Sequence, residues 1–112
     1  MTRILIVEDE AMIALYLSQE LSEAGYRVIG PAASNEEALQ LIDGVGCDGA
    51  LLDVDLGCET SEVVAIRLRE RGVLFAALTG YAASCQPVAF ENAPILKKPV
   101  CIKELLRVLR NW

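Results

Sequence analysis

The 112-residue chain contains no histidine. That excludes any mechanism built on an internal imidazole base, a Ser-His-Asp triad or a His-ligated metal. No apolar run approaches the ~18 residues that a membrane span needs, and the N-terminus runs directly into a strand-like segment, so neither a secretory leader nor an anchor is expected. Basic residues are in the minority. Ten Lys and Arg against sixteen Asp and Glu give a net charge of −6, which repels nucleic acid and anionic membranes over most of the surface. No C-x-x-C pair occurs among Cys47, Cys58, Cys85 and Cys101, so disulfides and zinc are not expected, and the four read as buried free thiols of a reducing compartment. The length corresponds to one domain spanning residues 1–112, with no output domain attached and a cytoplasmic location expected.

What is present is an alternation of strand and helix. Arg3 to Val7 is a short run rich in β-branched residues, the mark of a strand buried on both faces. Ala11 to Ala24 carries Ala14, Leu17, Leu21 and Ala24 at helical spacing, and Gly25 is placed to stop it. Tyr26 to Gly30 reads as a second strand. Ser34-Asn35-Glu36-Glu37 matches a capping box opening a helix that buries Ala38, Leu41 and Ile42, and Gly44 and Gly46 break it. Strands follow at Asp48 to Leu52, Val73 to Leu78 and Pro94 to Leu96. Helices are expected from Ser61 to Arg71 and from Ile102 on, the latter with Ile102, Leu105, Leu106 and Leu109 on one face. Tyr81 to Asn92 is a weak helix interrupted by Pro87.

Such alternation implies an α/β fold, a doubly wound five-stranded parallel sheet with right-handed crossovers. In that architecture ligands bind at the carboxyl ends of the strands, where the strand order reverses. The polar residues at those ends are Glu8, Asp9, Asp53, Asp55, Thr79 and Lys98. Taken singly, each has an ordinary reading: Asp9 or Glu10 as a helix cap, Asp53 and Asp55 as loop acids, Thr79 before Gly80 as turn chemistry, Lys98 before Pro99 as a solvated charge. Gathered from four strands to one edge, they make a site. Clustered carboxylates repel one another and suit a hard divalent cation such as Mg²⁺. A hydroxyl and an ammonium opposite the metal complete a cradle for phosphoryl oxygens, and an aspartate there can act as the nucleophile.

These residues resemble the receiver domain of bacterial two-component response regulators over essentially the whole chain. The resemblance rests on Glu8-Asp9 after the first strand, Leu51-Leu52-Asp53-Val54-Asp55 after the third, Thr79 ending the fourth and Lys98-Pro99 after the fifth. It implies the flavodoxin-like (βα)5 fold. It also implies that Asp53 is the phosphoacceptor, charged from the phosphohistidine of a sensor histidine kinase or phosphotransfer protein. Glu8 and Asp9 would hold Mg²⁺ together with Asp53 and the backbone carbonyl of Asp55; Thr79 would bind a phosphoryl oxygen and Lys98 would pair with the phosphoryl group. Such a domain is a stoichiometric acceptor rather than an enzyme, and it signals by binding a downstream protein. A phosphate sink or shuttle, or a fragment of a larger regulator or hybrid kinase, are the alternatives.

Phe75-Ala76-Ala77-Leu78-Thr79-Gly80-Tyr81 is in addition similar to the P-F-x-F-A-T-G-Y signature of short alphaproteobacterial receivers, keeping its Phe, Thr, Gly and Tyr but with Leu74, Ala77 and Leu78 where the signature has Pro, Phe and Ala. Most receivers carry an aromatic residue three positions before the lysine; here that position is Ile95. A ring-based switch is thereby unavailable, and Tyr81 is offered as a substitute. Met12 and Ile13, beside the acid pair, either face the core or belong to a kinase-docking surface. Lys97, Val100 and Cys101 flank the lysine and are candidates for an output surface, while Glu59 and Glu62 read as a solvated helix start. Two rivals share the D-x-D feature. Haloacid-dehalogenase-like phosphatases place it after the first strand, whereas two β-α units precede it here. Toprim-type enzymes act on nucleic acid, which the acidic charge disfavours.

Overall fold

Residues 2–80 and 88–112 are described by the structure, a computed structural model. Nine elements follow in chain order: β1 (Arg3–Val7), α1 (Ala11–Glu23), β2 (Arg27–Ala32), α2 (Asn35–Gly44), β3 (Gly49–Asp53), α3 (Glu62–Glu70), β4 (Leu74–Thr79), β5 (Ile95–Lys97) and α4 (Ile102–Arg110). The strands form one parallel sheet in the order β2-β1-β3-β4-β5. The expected α/β fold is therefore present.

The two-residue period of the strands divides the core. Leu5 and Val7 of β1, Ala50 and Leu52 of β3, and Phe75 and Ala77 of β4 turn to one face, against Ala38 and Ile42 of α2 and Val64, Ala65 and Leu68 of α3. Ile4, Ile6, Leu51, Ala76, Leu78 and Leu96 turn to the other, against Leu17 and Leu21 of α1 and Leu105 and Leu109 of α4. Every residue of β3 is buried, which is why it reads as an uninterrupted apolar run. Gly49 opens that strand beneath the Trp112 ring, and a Cβ there would collide with the indole.

Local chemistry sets the boundaries. Ser34 Oγ accepts from the Glu37 amide at 3.2 Å, the capping bond expected from the sequence. Gly25 ends α1 with φ of +95°, a conformation that favours glycine. Asp43 near the end of α2 binds Arg67 and Arg71, each with a contact of 2.6 Å, and so ties α2 to α3.

Several expectations are corrected. Ala24 is not core but the exposed C-cap of α1. The second strand does not stop at Gly30; it continues through Pro31 to Ala32, with a register slip between Leu5 and Val7 of its neighbour. Because β2 lies at the sheet edge, a proline lacking an amide is tolerated there. Of the cysteines, Cys47 is half-buried while Cys58 and Cys101 are exposed, since they stand in a surface loop and at the start of α4. Cys47, Cys58 and Cys101 are free thiols, and burial pushes the Cys47 thiol up. Glu59 is not merely solvated: its Oε1 accepts from the Asn35 amide at 2.9 Å, linking the β3–α3 loop to the start of α2. Of the expected weak helix at 81–92, Val88–Phe90 forms a single 3-10 turn. Residues 81–87, which include Tyr81 and Cys85, lie outside the described residues. No helix among the described residues is long and apolar enough to cross a membrane.

Candidate functional site

Strand register assembles the site. Val7 of β1 pairs with Leu52 of β3, so Glu8, one residue past β1, arrives beside Asp53 at the end of β3. Since β2 and β3 flank β1 on opposite sides, this is the point where the strand order reverses. Thr79 of β4 pairs with Lys97 of β5, and the following Lys98 amide donates to the Thr79 carbonyl at 2.9 Å. A cis peptide joins Lys98 to Pro99.

The Lys98 side chain then reaches back across the strand ends. Its Nζ lies 2.9 Å from Asp53 Oδ2, 3.0 Å from Glu8 Oε2 and 3.9 Å from Glu10 Oε1. Glu8 is 1% exposed and Asp53 3%, so both acids are buried, while Lys98 is partly exposed and Glu10 lies in solvent. The second Asp53 oxygen, Oδ1, accepts from the Asp55 amide at 3.2 Å. Glu8 Oε1 accepts from the Glu10 amide at 3.1 Å. Its other oxygen, Oε2, has an ion-pair distance to Lys98 but no hydrogen bond of good geometry among the described residues.

Charge in this cluster is out of balance. Burial, reinforced by the Asp53 carboxyl and opposed by the Glu10 amide and Lys98, pushes Glu8 from an ordinary value of 4.5 up to about 7. Burial acts to lower the Lys98 ammonium, but its hydrogen bonds to Asp53 and Glu8 outweigh that, and the net shift is upward. One lysine thus serves two buried acids, with Asp9 beside them. Carboxylate oxygens of Glu8, Asp9 and Asp53 all lie within 4.8 Å of one another. An all-oxygen donor set, an excess of negative charge and a buried carboxylate oxygen without a hydrogen bond together fit a hard divalent cation such as Mg²⁺.

The structure brings Glu8, Asp9, Asp53 and Lys98 together as the sequence suggested. A cleft of about 360 Å³ opens over Asp9, Asp53 and Lys98, which line it with Glu10, Asp55, Gly57 and Gly80. The Asp55 carboxylate is not part of the three-acid cluster; its Oδ1 accepts from the Gly57 amide at 3.2 Å. Thr79 is 2% exposed at the end of β4, its backbone bonded to Lys98. Met12 and Ile13 part company: Met12 is 86% exposed, while Ile13 packs against the α1/α4 core. Lys97 and Cys101 are exposed, and Val100 packs against the same core. Two contributors escaped the sequence reading. Glu10 approaches Lys98 and supplies an amide to Glu8, and the Ser61 hydroxyl donates to the Asp53 carbonyl at 2.7 Å. Both looked like ordinary helix-start residues, and nothing in their spacing distinguishes them.

No family model matches the chain. Solved structures do. A CheY-like response regulator receiver domain protein from Methanospirillum hungatei superposes with a TM-score of 0.89 at 29% identity, covering 99% of this chain and 92% of that one. The response regulator TrrA of Thermotoga maritima, solved in complex with Mg²⁺-BeF, gives 0.87 at 28% identity, covering 99% and 98%. The chain is a CheY-like response regulator receiver domain. By sequence, the receiver is also 44% identical over 70 residues to the positive alginate biosynthesis regulatory protein of Pseudomonas aeruginosa, 61% of this chain and 28% of that protein. The receiver spans about a quarter of the length of the curated relatives it matches.

Proposed function

We propose that this receiver accepts a phosphoryl group on the Asp53 carboxylate from a phosphohistidine of a sensor histidine kinase or phosphotransfer protein. The observation that carries the reading is the position of Asp53. Its carboxylate is buried, faces an open cleft, lies 2.9 Å from an ammonium and belongs to a three-acid cluster. In the step, an Asp53 oxygen attacks phosphorus while the P–N bond to the donor imidazole breaks. The electron pair stays with the imidazole nitrogen, which takes up a proton, and an aspartyl phosphate remains. Glu8, Asp9, Asp53 and the Asp55 carbonyl are the groups that would hold Mg²⁺. When bound, that ion supplies positive charge to the phosphoryl oxygens and offsets the repulsion among the acids. Lys98 keeps its charge across the neutral range and would pass from the free carboxylate to the phosphoryl oxygens as they arrive. The Thr79 hydroxyl would donate to another phosphoryl oxygen.

The retained Phe75, Thr79, Gly80 and Tyr81 support assignment to the short receivers with the P-F-x-F-A-T-G-Y signature. Ile95 is half-buried and packs against the α2/α3 core, which supports a switching route that does not depend on a ring at that position.

Intact-protein mass after incubation with acetyl phosphate and Mg²⁺ tests the reading. Wild type should gain about 80 Da, one phosphoryl group, and Asp53→Asn should not. Equal gain in both would place the acceptor elsewhere.

A further inference from the structure

We propose that Ser61 is a positioning residue for the phosphoacceptor: its hydroxyl and its amide together fix the two peptide planes that follow Asp53. The inference rests on Asp53 as acceptor.

Ser61 stands at the N-cap of α3, where a serine hydroxyl normally accepts from an amide in the first turn of the helix. Here it makes no such bond. Instead Oγ donates to the Asp53 carbonyl at 2.7 Å, and the Ser61 side chain is wholly buried. The Ser61 amide donates at the same time to the next carbonyl, that of Val54, at 3.0 Å. One residue therefore holds two consecutive carbonyls from the far end of the β3–α3 loop. The intervening loop is closed on itself by a bridge between Asp55 and Thr60 and by the Leu56 amide donating to the Glu59 carbonyl at 2.8 Å.

The consequence follows from peptide planarity. The Val54 carbonyl and the Asp55 amide belong to one rigid plane, and that amide is the donor to Asp53 Oδ1. Likewise the Asp53 carbonyl shares a plane with the Val54 amide, which donates to the Leu78 carbonyl of β4 at 3.0 Å. By holding both carbonyls, Ser61 aims the Asp55 N–H at Oδ1, while Lys98 holds Oδ2. The acceptor carboxylate is thereby fixed at both oxygens, and the Asp55 carbonyl is placed by the same chain segment. Since small misplacements of reacting groups slow a reaction steeply, the serine hydroxyl should act on phosphorylation without touching the phosphoryl group.

The test compares Ser61→Ala, Ser61→Val and Ser61→Thr with wild type, each assayed well below its own melting temperature. Phosphorylation from acetyl phosphate at saturating Mg²⁺ is followed by intact mass, so no partner surface is involved. Threonine keeps the hydroxyl and valine has its shape without it, so this pair isolates the bond even if the alanine variant folds poorly. The expected result is a rate about tenfold lower for alanine and valine, with threonine close to wild type. The Asp55 amide proton resonance should move in the alanine and valine variants and stay in place with threonine. Equal rates for valine and threonine, or an unmoved Asp55 resonance in both alanine and valine, would overturn the inference. Failure of the wild type to gain a phosphoryl group, or gain by Asp53→Asn, would overturn the Asp53 reading itself, and the inference with it.

Discussion

Two ion clusters in this molecule use the same residue types to opposite ends. On the surface, Asp43 is shared by Arg67 and Arg71, two cations on one acid, and Arg67 holds the Asp43 carboxyl below its ordinary range. At the carboxyl edge of the sheet, Lys98 is shared by Glu8 and Asp53, two acids on one cation, and burial drives Glu8 up to about 7. The first cluster lies in water, is satisfied within the chain and does no more than fasten α2 to α3. The second holds two buried acids and is short of positive charge. A deficit that folding leaves in place, at the point where the strand order reverses, suits a cation supplied from outside the chain.

The largest effect is expected at Lys98. Lys98→Ala leaves Glu8 and Asp53 buried without their cation. Urea unfolding at pH 8 without divalent ions should show a loss of about 3 kcal/mol, the low end for a broken buried pair, because Glu8 can take up a proton in response. A loss under about 1 kcal/mol would mean that water already relieves the cluster.

A smaller effect is expected at Glu8, and its sign is fixed by the direction of the shift. The folded state holds the Glu8 proton to about pH 7 and the unfolded chain only to about 4.5. Stability from this group is therefore fully present below about pH 4.5 and is lost as pH rises through about 7. In metal-free buffer, wild type should weaken relative to Glu8→Gln between pH 5 and 8. Parallel unfolding profiles for the two proteins would show that Glu8 carries no such strain.

The smallest effect belongs to the surface cluster. Asp43→Ala should shift the urea midpoint less than either substitution above, and moderate salt should erase the difference, because exposed pairs are screened. Phosphorylation of Asp43→Ala by acetyl phosphate should match wild type.

The same contrast explains what could be read from the sequence. Arg3 to Val7 and the apolar run ending at Asp53 were legible because strands buried on both faces must be continuously apolar. Glu8, Asp53 and Thr79 are legible because each directly ends or follows such a run, and Lys98 because it stands before Pro99 just past the last short strand. Readings failed where tertiary position overrode local pattern. The second strand reads as ending at Gly30, but β2 is a sheet edge and continues through Pro31 to Ala32. Ala24 had the spacing of a core residue but falls past the last turn of α1. Glu59 reads as part of a solvated helix start and Ser61 as the first residue of a helix, yet one accepts from the first amide of α2 and the other donates to the Asp53 carbonyl. Those partners lie 24 and 8 residues away, and no local pattern records such pairings.

The most direct measurement is the melting temperature of the metal-free domain at pH 8 against MgCl₂, with NaCl at matched ionic strength as the control. A site short of positive charge should gain stability from the specific ion by mass action, about 2.7 kcal/mol at a hundredfold excess over its dissociation constant. The melting temperature should climb with Mg²⁺, and Asp53→Asn should blunt the rise. Identical curves in MgCl₂ and NaCl would contradict the claim that the carboxylate edge is built for a divalent cation.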